Sequence, residues 1–273
     1  MNVLYKYVGS DSIVKILESL ELKLPNISDV NDPYECFPVF YCPDDKPALK
    51  KQFLQAFDRN HLKQPVNWEQ ISDELYAKGE IQDSLVKGSQ EELIDFNQNS
   101  CLLSVSKTAR NPVMWAHYSS EHEGAAIGID FNNIYQGWNG VSKLVMHRVN
   151  YSKKRIKINV LSDTKQKDYE EFPLTKSIDW KYEKEFRSIF RVVYLELMQQ
   201  RDLVDFIKID GKDSWVLRLN PESIKEVVFG LNTKDDLKAD IRKLKKERQD
   251  LQHIQLRQAT LSETYDFDIN DII

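Results

Sequence analysis

From Trp180 to Tyr194, apolar and polar positions alternate in a way that suits an extended strand. Phe186, Ser188, Phe190, Val192 and Tyr194 fall on one face, which reads as core. Glu183, Glu185, Arg187 and Arg191 fall on the other, interrupted by Ile189. Two readings fit that polar face. It is a solvated surface with cross-strand ion pairs of small value, or it is the wall of a polar cleft. In the second case Arg187 keeps one carboxylate charged and leaves the other free for chemistry.

The same patterning divides the rest of the chain. Val3–Val8 reads as a first strand, and Ser10 as the cap of a helix with Ile13, Ile16, Leu17 and Leu20 on its apolar face. Leu22–Leu24 is a short strand. Asn31-Asp32-Pro33 is turn chemistry, leading to Glu35 and an apolar run from Phe37 to Tyr41. Residues 47–98 read as polar and helical. Leu49, Phe53, Leu54 and Phe57 stripe one helix, Ile71, Leu75 and Tyr76 another, and Gly79 and Gly88-Ser89 punctuate the segment. That segment is expected to be a helical insertion packed on the main domain.

Cys101–Ser106 is a buried strand, and Asn111-Pro112 opens a short helix carrying Met114, Trp115, His117 and Tyr118. Gly124–Phe131 and Lys143–Tyr151 follow as strands, then a charged loop over 152–170. Residues 195–212 suit helix and strand equally. Ser214–Leu219 and Ile224–Phe229 are strands, and Thr233 caps a helix whose Leu237, Ile241 and Leu244 face the core. A last strand is expected near Ile254–Leu261. The sum is an α+β chain of one domain, 1–273, with its insertion at about 47–98.

Composition narrows the chemistry. The net charge of −5 gives no general attraction to nucleic acid or to an anionic membrane, although local basic patches stay open. No apolar run approaches the ~20 residues of a membrane span. Three cysteines, Cys36, Cys42 and Cys101, form no metal pattern, and with no signal segment the expected compartment is the cytoplasm. There is no phosphate-cradling glycine loop, His-Glu-x-x-His pair or Gly-x-Ser-x-Gly elbow, and no metal site is expected. Polar residues instead gather at strand ends: Tyr5, Lys6 and Tyr7; Asn31, Asp32 and Glu35; Ser104 and Ser106; Trp115, His117 and Tyr118; Glu183, Glu185 and Arg187.

Leu4-Tyr5-Lys6-Tyr7, Asn31–Glu35, Ser104-Val105-Ser106, Met114–Tyr118 with Glu123-Gly124, and Trp180–Arg187 occur in an order that resembles a mostly bacterial family classed as domain of unknown function 2971. That family names no reaction. A more distant likeness is to ADP-ribosyltransferases, whose three motifs are an Arg or His on the first strand, a serine motif on a middle strand and Glu-x-Glu on a late one. Lys6, Ser104 with Ser106, and Glu183 with Glu185 stand in that order here. Lysine replaces Arg or His, and the middle motif lacks its threonine.

This resemblance implies NAD as substrate in the cleft of a split, mixed sheet. Ser104 or Ser106 would position the nicotinamide ribose. Glu185 would stabilise developing positive charge, Glu183 would orient the acceptor, and Tyr5, Tyr7 or Trp115 would stack on nicotinamide. Lys6, Asn31, Asp32, Glu35, His117, Tyr118 and Arg187 complete the expected cofactor-binding set. The alternatives are a nucleotide-binding module without catalysis, and a metal-dependent nuclease holding a divalent ion on Asp32, Glu35, Glu183 and Glu185. The transferase and nuclease readings would suit a bacterial toxin or phage-defence effector. The expected partner is a small nucleotide, with the acceptor undefined.

Overall fold

The computed structural model describes residues 3–56, 67–134, 144–162 and 165–272. Phe57, Lys143 and part of the 47–98 segment lie outside them. The chain opens with β1 (Val3–Val8), α1 (Ser10–Ser19), β2 (Glu21–Leu24) and β3 (Val39–Tyr41). Three helices follow: α2 (Lys46–Ala56), α3 (Trp68–Ala77) and α4 (Glu80–Gln98). Then come β4 (Ser100–Ser106), α5 (Pro112–Tyr118) and β5 (Ala125–Asp130). Shorter pieces, β6 (His147–Arg148), β7 (Asn150–Ser152), β8 (Lys157–Asn159), α6 (Lys165–Glu171) and β9 (Thr175–Ser177), lead to β10 (Glu185–Arg191). The chain closes with α7 (Val192–Gln199), β11 (Val204–Ile209), β12 (Lys212–Arg218), β13 (Ile224–Phe229), α8 (Asp235–Glu247), β14 (Gln255–Leu261) and β15 (Phe267–Asp271).

The architecture is α+β. Its main sheet has eight strands in the order β15-β14-β13-β5-β1-β4-β10-β6. Among the described residues, only β13 and β14 run parallel within it. β10 pairs with β4 along seven residues, whereas β1 and β4 share a single register pair, Tyr5 with Ser106. The sheet is therefore split at that seam.

Register sets what each face carries. Leu4, Val8, Leu103, Val105, Ile127 and Phe190 point to the larger core, where α1, α8 and the three-stranded sheet β11-β12-β2 supply Ile13, Leu17, Ile241, Leu217 and Leu22. Tyr5, Ser106 and Glu185 share one row and therefore the opposite face, as do Ser104 and Arg187. On that face α5 closes one side, with Trp115 and Met114 against Tyr7, Ala126 and Val228. The other side is closed by a cluster of Leu93, Leu102, Ile158 and Phe172. The polar row lies between these two apolar clusters.

Several local expectations are corrected. Ile178–Glu183 is a 3₁₀ turn, and Lys184 takes a left-handed backbone (φ 46°), so the strand begins only at Glu185. Val192 and Tyr194 sit in α7, and Tyr194 is exposed. Gly88 does not interrupt α4, which runs through it. Neither Ser10 nor Thr233 caps its helix; Gly9 and Lys234 hold those positions, and the Thr233 hydroxyl donates to the Gly124 carbonyl at 2.7 Å. The strand expected up to Tyr151 is two short pieces, with Val145 exposed, and 152–170 includes β8 and part of α6.

Candidate functional site

Where β1 and β4 part, a cavity of about 260 Å³ opens. Tyr5, Lys6, Tyr7, Ser104 and Ser106 line its floor, and Asn31, Glu35, Tyr118, Glu183 and Glu185 its walls. Lys6 belongs to the opposite face by alternation, but its ammonium donates to the Ser104 carbonyl at 3.0 Å, in the gap where a full ladder would have placed backbone. Burial lowers its pKa, with the nearby Glu185 charge opposing.

Behind the floor lies a buried ionic cluster. Arg187, fully buried, grips Glu185 with two bonds: Nε to Oε1 at 3.1 Å and Nη2 to Oε2 at 2.7 Å. Its Nη1 donates to Glu35 and to the Pro173 carbonyl, each at 2.7 Å. The Lys176 ammonium meets Glu183 at 2.8 Å, Glu35 at 3.1 Å and Glu185 at 3.4 Å, with the Trp180 ring 4.8 Å away. Three carboxylates against two cations leave one net negative charge when all are ionised.

The two acids of the Glu-x-Glu are held differently. Burial pushes the Glu185 carboxyl up, but Arg187 and then Lys176 overcome it and hold the group at about 2. For Glu183 burial prevails over Lys176, and the neighbouring Glu185 adds to it, so its pKa is raised. Tyr118 donates its hydroxyl to Glu183 Oε1 at 2.6 Å. The Tyr151 hydroxyl accepts the Glu185 N–H at 2.8 Å. One acid is thus a fixed anion, and the other is poised to exchange a proton nearer neutrality.

Other expected residues have different tasks. Trp115 is core rather than platform: it is fully buried, its indole N–H donates to the Ala109 carbonyl at 2.7 Å, and Tyr7 meets it edge-on at 5.0 Å. His117 is exposed, with Nδ1 3.0 Å from the Tyr182 hydroxyl and outside the cavity. Asp32 is buried and shapes its own turn by accepting the Tyr34 N–H at 2.9 Å. Arg187 supports the wall without lining it. The Tyr5 hydroxyl is drawn away to Glu226 at 2.6 Å, across Gly128, where a Cβ would lie 2.7 Å from the Glu226 Cγ. The Ser106 hydroxyl donates to the Glu183 carbonyl at 2.7 Å and so fixes the acid-bearing turn.

Lys176 was not among the expected site residues. A signal for it existed: three acids destined for burial against the one guanidinium of Arg187 demand another cation. Nothing in the sequence said which lysine.

Residues 114–188 match the family model described as protein of unknown function (DUF2971), the family that the motif order resembles. No curated protein and no solved structure matches the chain.

Proposed function

We propose that the chain is an NAD-utilising transferase of the ADP-ribosyltransferase kind, with the cavity between β1 and β4 taking the nicotinamide riboside half of its substrate. The observation carrying this reading is that Lys6, Ser104 and Glu185, at the three motif positions, line one cavity. A volume of about 260 Å³ lies near the lower end of ligand pockets, so the rest of the dinucleotide would extend from its mouth.

NAD supplies a ribose whose bond to the cationic nicotinamide ring is already activated. Glu185, held ionised by Arg187, faces the positive charge that grows on the ribose as that bond breaks. Tyr5 and Tyr7 offer rings for the nicotinamide. Glu183 takes the proton of the incoming acceptor, and its raised pKa suits that step. Tyr118 and Lys176 hold the Glu183 carboxylate in place.

Chromatographic detection of free nicotinamide tests the reading. Glu185→Gln is expected to lower release by about 10²–10³-fold, the size seen when one electrostatic stabiliser is removed. Ser104→Ala disturbs the fold less and is expected to weaken NAD binding. Unchanged release in Glu185→Gln overturns the proposal.

A second reading, binding without turnover, has its own support: both Glu185 oxygens are already engaged by Arg187. Calorimetric NAD binding with no nicotinamide released would select it. The nuclease reading has weaker support. Its glutamates converge on the Lys176 ammonium, and Asp32 does not line their cavity.

A further inference from the structure

The turn after Asn31 faces two ways. Asn31 and Glu35 line the cavity described above, while Tyr34 and Phe37 line a second one, of about 340 Å³, on the other side of Lys176. That second cavity is also lined by Lys153, Lys154 and Arg155, and no carboxylate lines it. Tyr34 is 61% exposed and Phe37 45%, so both rings reach solvent beside the basic run.

The arrangement is built rather than incidental. Arg155 donates to the Phe37 carbonyl from Nε at 2.9 Å and Nη2 at 2.8 Å, and to the Pro38 carbonyl at 3.0 Å. These bonds hold its guanidinium 5.4 Å from the Tyr34 ring and 5.8 Å from the Phe37 ring. Among the described residues, Lys153, Lys154 and Arg155 have no ion-pair partner. A chain of net charge −5 therefore concentrates cations without ion-pair partners and two exposed rings, each already approached on one side by the Arg155 guanidinium, at one place.

We infer that the second cavity binds a single-stranded nucleic acid, with bases stacked on Tyr34 and Phe37 and phosphates held by Lys153, Lys154 and Arg155. Exposed rings beside cations are how sequence-tolerant single-strand sites work: every base has a π face, and every step has a phosphate. A duplex keeps its bases stacked on one another and could use only the cations. That the strand is the acceptor of transfer rests on the transferase reading; that it binds does not.

Fluorescence anisotropy with a labelled ten-nucleotide single strand, DNA and RNA in separate arms, tests this without NAD. Two to three phosphate contacts predict that log K falls with log[salt] with a slope of about −1.4 to −2.1. Lys153→Ala/Lys154→Ala is expected to flatten that slope by about 1.4, since both side chains are exposed and outside the fold's bonding. Tyr34→Ala is expected to weaken binding by about tenfold or more through lost stacking. Strand binding is read with no NAD present, so its failure and failure of the transferase reading are distinct results. Absence of strand binding, or binding indifferent to both variants, overturns the inference. A free mononucleotide binding as tightly as the strand also overturns it, and reassigns the cavity to a small nucleotide.

Discussion

Replacing Arg187 with methionine tests the ionic cluster that forms the site's back wall. The side chain is fully buried and satisfies Glu185 twice, Glu35 once and the Pro173 carbonyl once. Methionine fills much of the same space but supplies no charge, so three carboxylates stay buried with Lys176 alone to answer them. Removing one partner of a buried ion pair costs about 3–5 kcal/mol. A second route to the number starts from Glu185. A carboxyl held at about 2 instead of the ordinary glutamate value contributes on the order of 3 kcal/mol at neutral pH. The two agree, and for a chain of this size they correspond to a fall in Tm of about 6–10 °C.

The sign of the pH dependence separates this from a simple packing defect. In the wild type the folded Glu185 pKa lies below the unfolded value, so its contribution is complete above about pH 4.3 and lost as pH falls toward 2. In the variant burial is no longer overcome, and the folded pKa of Glu185 is expected to rise above the unfolded value. The folded variant then binds protons more readily, and its deficit narrows as pH falls from 7 to 5. Thermal melting followed by circular dichroism at both pH values reads this directly. A variant melting within about 2 °C of wild type, or a deficit constant between pH 7 and 5, refutes the cluster's role.

Three further outcomes follow from the geometry. Tyr118→Phe removes a hydroxyl that favours the ionised Glu183, so the acid limb of nicotinamide release should move to higher pH, at a stability cost of only about 1 kcal/mol; an unmoved limb argues against Glu183 as the base. Gly124→Ala places a Cβ 2.1 Å from the Val8 carbonyl oxygen, a backbone atom of a central strand, and should cost more than about 3 kcal/mol in denaturant titration, whereas Gly88→Ala, in the body of α4 with open space around it, should stabilise by about 0.5–1 kcal/mol.

Short, largely apolar runs marked β1, β4, β5 and β13, because those strands carry their burial in their own composition. Asn111-Pro112 marked α5 for a local reason: the Asn111 side chain accepts the Val113 N–H at 2.9 Å. The turn at Ile178–Glu183 escaped, because its alternating pattern also suits a strand and only the bonds around it select the tighter path.

By itself the sequence determined which residues were too polar for the strands that bear them: Lys6, Ser104, Glu185 and Arg187. Only the tertiary structure decided that these meet. The sheet order sets β4 between β1 and β10 and leaves the β1–β4 ladder with a single pair, while the fold brings Glu35 from a distant segment onto Arg187 and turns Lys176 back onto the acids. Local pattern fixes which face a side chain takes, because that depends on the next residue along. Which charges share a buried space depends on segments far apart in the chain, as Glu35 and Arg187 are at 152 positions' separation, and no local preference records that.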